Sequence, residues 1–234
     1  MKHAIIGIVL LLAVARGAAE QRNTCPKGAH TLYSNRATSL DSGLERIKSP
    51  DGSKLLTVRR VEDAKDPDGM HLAFTLVEGK KKFRARLLGF NAEVLWSPDS
   101  SAFAVTQTEG GGGIGYGAYV FYVRQHGLEK VALSPPIKKA FSNPAKCEIE
   151  PNVAIVDWLH ESDRILVVGE TIPVSFCQCM GTFELYDVSV PDGRVLQKYS
   201  QIEGKNKYWN LLGCELRDAD DSCSKNISRH RKRG

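Results

Sequence analysis

The sequence predicts an all-β chain assembled from antiparallel four-stranded units, about three of which are recognisable. Short apolar runs rich in β-branched and aromatic residues recur along it, each the length of a strand. Clusters of Pro, Asp, Gly and Ser punctuate those runs at turn positions. One such cluster returns together with its flanking strands, at Pro50, Pro98 and, in degraded form, His160.

Residues 1–19 are set apart as a secretory signal. A basic start at Met1, Lys2 and His3 leads into an apolar run from Ala4 to Ala15, then small residues Gly17, Ala18 and Ala19. The run is shorter than the ~20 residues that span a bilayer, so cleavage near Ala19 is expected, with a mature chain that starts at Glu20. No later stretch is apolar enough to predict a transmembrane segment. The expected location is periplasmic or secreted. Residues 20–224 form the β domain and 225–234 a basic, disordered tail.

The repeat lies inside residues 20–224. Lys48-Ser49-Pro50-Asp51-Gly52-Ser53-Lys54-Leu55-Leu56-Thr57 aligns without gaps with Trp96-Ser97-Pro98-Asp99-Ser100-Ser101-Ala102-Phe103-Ala104-Val105. Trp158-Leu159-His160-Glu161-Ser162-Asp163-Arg164-Ile165-Leu166-Val167 aligns with both. Pro presets φ for the turn, Asp bonds the backbone beyond it, and Gly or Ser completes it. Lead-in strands are expected at Leu44–Ile47, Glu93–Leu95 and Val153–Asp157. After the turns, strand pairs are expected at His71–Val77 with Lys82–Leu88, Ala118–Val123 with Glu129–Leu133, and Thr182–Val188 with Val195–Tyr199. Four antiparallel strands per repeat are the pattern of a propeller blade. Residues 25–40, with Thr31-Leu32-Tyr33, and residues 206–217, with Tyr208-Trp209-Asn210-Leu211-Leu212, are expected to add edge strands or a degenerate fourth unit. No amphipathic helix is evident beyond the signal.

Ser49-Pro50-Asp51-Gly52-Ser53-Lys54-Leu55 and Trp96-Ser97-Pro98-Asp99-Ser100 resemble the TolB-like, or PD40, β-propeller repeat, a bacterial cousin of WD40. The resemblance covers roughly residues 45–200. It implies a β-propeller-like scaffold used for protein contacts, envelope assembly or substrate gating, and carries no catalytic residue with it. Propellers close with about four to eight blades; three units imply an open or incomplete one. Trp96 and Trp158 hold equivalent positions and are expected to be buried scaffold residues.

The formal net charge is +5. Two of those charges leave with Lys2 and Arg16, and five belong to Lys225, Arg229, Arg231, Lys232 and Arg233. Residues 20–224 therefore carry −2, which gives no support for nucleic-acid binding.

The six cysteines, Cys25, Cys147, Cys177, Cys179, Cys214 and Cys223, are even in number in an exported chain and read as disulfides. Cys214 and Cys223 flank a polar loop and are the expected local pair. The spacing typical of structural zinc is absent. No HExxH motif, P-loop ending or Gly-x-Ser-x-Gly elbow occurs, and the glycine-rich Glu109–Gly117 segment reads as a loop between strands. Asp157, His160, Glu161 and Asp163 read as a solvated turn. Asp218, Asp220 and Asp221 read as an acidic loop without the turn glycine of a calcium site. The sequence thus predicts no catalytic, cofactor-binding or metal-binding residues and no cofactor. A non-catalytic module that binds a protein partner in the envelope is expected. A hydrolase with residues gathered across blades, or a sugar or small-ligand binder using exposed aromatics, is the alternative. No oligomeric state follows.

Overall fold

Each predicted unit folds as a four-stranded antiparallel meander. The computed structural model describes residues 32–40, 43–63, 66–108, 115–142, 149–172, 179–221 and 223; the expected signal and basic tail lie outside them. A short strand, β1 (Thr38–Ser39), precedes the first meander of β2 (Leu44–Lys48), β3 (Lys54–Asp63), β4 (Asp66–Glu78) and β5 (Lys81–Leu88). The second comprises β6 (Asn91–Trp96), β7 (Ala102–Thr108), β8 (Tyr116–Arg124) and β9 (Gly127–Ala132). The third comprises β10 (Asn152–His160), β11 (Arg164–Glu170), β12 (Phe183–Ser189) and β13 (Arg194–Ser200). Strand order follows the chain in each sheet, β1 adds beside β6, and none of the three sheets closes on itself.

The sheets stack through their faces. Val94, Trp96, Phe103, Val105 and Phe121 of the second sheet cluster with Leu56, Leu72, Phe74 and Leu76 of the first. From its opposite face, Leu95, Ala102, Ala104 and Val120 meet Val153, Ile155, Ile165 and Val167 of the third. Every residue of β7 is buried as a result. Trp96 pairs across its hairpin with Phe103, and Trp158 with Ile165, at the same offset from each turn. Both are buried, at 7% and 5% exposure. Each indole sits between its own sheet and the one before it. Trp158 Nε1 also donates to the carbonyl of Leu95 at 3.3 Å, which ties the third sheet to the second.

Three short helices depart from the sequence expectation: α1 (Ser134–Ala140), α2 (Gln201–Tyr208) and α3 (Cys214–Asp218). None is long enough to display a 3.6-residue apolar stripe over several turns, so periodicity does not reveal them. Local chemistry does at α2. Ser200 Oγ accepts from the Glu203 backbone N–H while Glu203 reaches back to the Ser200 N–H, a complete capping box. The edge strands expected from residues 206–217 are therefore not formed. Residues 32–35 and 211–215 instead meet as a clasp. Ser34 bridges Leu212, Gly213 N donates to Tyr33 O at 2.8 Å, and Glu215 N donates to Leu32 O at 3.0 Å. The crossing is so close that a Cβ on Gly213 would lie 2.4 Å from Leu32 O. Tyr33, Leu212 and Leu216 cover the outer face of the third sheet through Ala154, Val156, Leu166, Val168 and Leu185. Among the described residues no helix is long and apolar enough to cross a membrane.

Cys179, in the connection between β11 and β12, forms a disulfide with Cys223, with 5.5 Å between their Cα atoms. The expected Cys214–Cys223 pair is not made. The intervening segment is no free polar loop: α3 docks by Leu216 and holds Cys214 at its first turn, where that cysteine is engaged in a disulfide of its own. Cys25, Cys147 and Cys177 lie outside the described residues.

Two measurements check this architecture. Trp96→Ala and Trp158→Ala should each cost about 3–5 kcal/mol, the range for a buried large aromatic, so both melts should fall well below the parent; unchanged melting in both would contradict the stacking. Non-reducing digestion followed by mass spectrometry should yield a Cys179–Cys223 cross-linked peptide, and a Cys214–Cys223 peptide in its place would reinstate the local pairing.

Candidate functional site

The repeated turns are built alike, atom for atom. Ser49 Oγ donates to Asp51 Oδ1 (2.5 Å), and Asp51 accepts from the Ser53 backbone N–H (3.0 Å) and hydroxyl (2.8 Å). Lys54 N donates to Ser49 Oγ (3.0 Å). Ser97, Asp99, Ser101 and Ala102 repeat these four bonds at 2.6, 3.1, 2.8 and 3.0 Å. Gly52 takes φ 71°, and Ser100 accepts nearly the same value in its place. Pro50 and Pro98 start the turns from exposed positions. The turns also lace neighbouring sheets together. Asp51 N donates to Ser100 Oγ at 3.1 Å, and Ser162 Oγ donates to Asp99 Oδ2 at 2.8 Å. Hydrogen bonds from Ser49 and Ser53 hold the Asp51 carboxyl well below its usual range. Burial opposes the same effect at Asp99, yet bonds from Ser97, Ser101 and Ser162 prevail. Asp51 and Asp99 are thus each bonded within their own turn, and a carboxylate of low pKa is a weak general base.

In the third turn His160 Nδ1 meets Asp163 Oδ1 at 2.8 Å in the open, and that carboxylate raises the imidazole pKa. Asp157 lies apart from them. It is buried, bonded by the Trp158 N–H at 2.8 Å and by Arg36 at 3.2 Å. Asp221 is paired with Lys205 at 3.0 Å and with Gln201 Nε2 at 2.8 Å. Among the described residues no group of His, Cys, Asp and Glu could hold a metal ion. Residues 109–114 of the glycine-rich segment, together with His30 and His230, lie outside the described residues.

A buried polar cluster forms at the opposite end of the strands, and the sequence reading did not anticipate it. Glu170, the last residue of β11, is wholly buried. Tyr33 Oη donates to its Oε2 at 2.8 Å, and Asn152 Nδ2 stands 3.4 Å from Tyr33 Oη and 3.5 Å from the same carboxylate oxygen. Asn152 Oδ1 in turn accepts from the backbone of Gly115 (3.1 Å) and Tyr116 (3.3 Å). Glu93 accepts from the N–H groups of Leu32 and Tyr33. Burial dominates the electrostatics. It pushes the Glu170 carboxyl up to about 7, against the opposing bonds from Tyr33 and Asn152. It likewise lifts the Tyr116 phenol to about 12 and the Tyr33 phenol well above its ordinary value. Among the described residues Glu170 Oε1 has no hydrogen-bond partner. A carboxyl tuned near neutrality is the profile of an acid–base catalyst, but Tyr33, Asn152 and Glu170 are all closed to solvent. The cluster locks the clasp to the second and third sheets.

The first sheet presents a different surface. Leu56, Val58, Leu72, Phe74 and Leu76 point into the stack, so the alternate residues point out. Cross-strand register sets these in rows: Arg46, Thr57, Thr75, Arg84, and beside it Leu44, Arg59, Ala73, Arg86. They line an open trough of about 690 Å³. No described residue covers it.

No protein-family model and no curated protein matches the chain. Among solved structures, the acylaminoacyl peptidase of Pyrococcus horikoshii superposes with a TM-score of 0.38 at 13% identity. That match covers 63% of this chain and 23% of the peptidase.

The buried Glu170 makes stability depend on pH in a defined direction. Its carboxyl moves from an ordinary 4.5 to about 7 on folding. The contribution is therefore complete below about 4.5 and is lost as pH rises through 7, a total on the order of 3 kcal/mol. Glu170→Gln keeps an acceptor for Tyr33 and cannot ionise. The variant should melt near the parent at pH 5 and above it at pH 8; parallel pH–melting curves for the two proteins would remove Glu170 as the titrating group.

Proposed function

We propose that this chain is an exported, non-catalytic β-propeller-like module that binds another macromolecule. Three stacked four-stranded meanders, the first two with near-identical Ser–Asp turns between their first and second strands, support the propeller-like reading, as does the resemblance of those turns to the TolB-like repeat. A disulfide between Cys179 and Cys223 fits an oxidising compartment, in keeping with a periplasmic or secreted location.

The observation that carries the binding reading is the unequal treatment of the two ends of the stack. The third sheet is covered by Tyr33, Leu212 and Leu216. The first sheet leaves its outer face open, with Leu44 47% and Val77 36% exposed. A rigid sheet backed by a continuous core is a firm platform for a contact. The buried carboxylate cluster, by contrast, offers a substrate no way in.

The mature protein should show no turnover when profiled against esters, peptides and glycosides, and an affinity column bearing it should retain a specific component of envelope extract. Clear turnover, or a column that retains nothing specific, would overturn the proposal.

A further inference from the structure

We infer that the open face of the first sheet binds an extended acidic segment of a polypeptide. This rests on the binding reading above and adds the chemistry of the partner. The outward positions of β2, β3 and β5 carry Arg46, Arg59, Arg84 and Arg86, with Lys48 and Lys82 in the row beyond. None of the outward residues in these three rows is acidic. The four guanidinium groups have no ion pair within the described protein; the neighbouring Glu78 is already engaged by Lys54 at 3.4 Å.

A polar outer face alone would merely end the stack, and an inert face mixes both signs. Here one sign is concentrated. Arg84 and Arg86 are two residues apart on one strand, about 7 Å, and Arg59 lies two strands from Arg86, about 10 Å. Both spacings fall within the ~10 Å screening length of 0.1 M salt. The cations therefore repel one another, and a bound anion relieves that repulsion.

The lining selects among anions. Between the cationic walls the floor is made of small or short side chains, Thr57, Ala73 and Thr75, so a chain lying along the strands can sit low between Arg46 and Arg84. Arginine forks match carboxylates in a bidentate manner. Leu44, Leu55 and Val77 alternate with the charges, which suits a segment whose apolar and acidic side chains alternate. Among the described residues of this face no aromatic ring is offered for stacking, because Phe74 is buried and Phe83 packs against the core; nucleic-acid strands draw on such platforms. A second copy of this face would set arginine against arginine.

The test uses the mature protein and a fluorescein-labelled peptide of alternating Glu and Val, followed by anisotropy. Binding is expected, and it should weaken markedly between about 0.05 and 0.2 M salt as screening tightens. Arg46→Glu/Arg84→Glu and Arg59→Glu/Arg86→Glu should each lower affinity at least tenfold while melting as the parent does, since the side chains are exposed. The reversed variants should gain affinity for the matching Lys–Val peptide. Absence of peptide binding, or binding indifferent to the reversals, would overturn the inference. So would oligothymidylate or heparin displacing the peptide at concentrations below the peptide's own, which would assign the face to a nucleic acid or a glycan. If the peptide fails while the affinity column still retains a partner from which these reversals do not release it, the acidic-segment inference falls and the binding function stands.

Discussion

A sheet whose two faces are both apolar must be sandwiched. β7 is buried along its whole length, and β11 is buried beyond Arg164. Neither strand could exist at the outside of the molecule. The second sheet is satisfied by neighbours on both sides, but any open row of sheets has two ends. The structure resolves them by different means. At the third sheet a clasp of chain from both halves of the sequence supplies the missing hydrophobic layer. At the first sheet the requirement never arises, because β5 alternates polar and apolar residues, β2 alternates exposed and half-buried ones, and both turn one face to the core. The turns fit the same scheme: each fixes its own hairpin, and the Ser100 and Ser162 hydroxyls of the second and third each bond to the turn of the sheet before.

The clasp brings a cost that the buried cluster offsets only in part. Covering the third sheet with residues 32–35 places polar backbone in the interior, where each N–H needs an acceptor. Glu93 accepts two of them, from Leu32 and Tyr33, and Asn152 binds the start of β8. Glu170 anchors the Tyr33 hydroxyl, yet its own second oxygen has no partner among the described residues. A half-satisfied carboxyl in a dry site is costly when charged, which is why its proton is held toward neutral pH.

The place of each meander strand was legible in the sequence, though β4 and β10 run longer than expected, because alternation and turn chemistry are local signals. The Pro50–Asp51 and Pro98–Asp99 turns and the equivalence of Trp96 with Trp158 were legible for the same reason. What escaped depends on long-range partners or on short elements. Of residues 25–40, Thr38–Ser39 do add an edge strand beside β6, whereas Leu32 and Tyr33 contribute backbone contacts to the clasp and a buried ring. Disulfide pairing depended on α3, whose five residues show no periodicity. Glu170 was discoverable only as the lone acid closing the apolar run Ile165–Gly169. The cationic face was hidden by averaging, since a body of charge −2 gives no hint of it. Its signal was present in Lys82-Phe83-Arg84-Ala85-Arg86, where every cation has the same strand parity.

The clasp also governs the order in which this fold can be completed. Ser34 and Leu212 meet across nearly the full described sequence, a contact of very high order whose loop closure comes late. In a chain that emerges from its N-terminus, the first two sheets can pair before Leu212 and Leu216 are available. Until those residues arrive, the apolar outer face of the third sheet stands bare and Tyr33 has no site. The nascent chain thus carries a transient sticky surface, and α3, rather than any of its sheets, sets the moment at which that hazard ends.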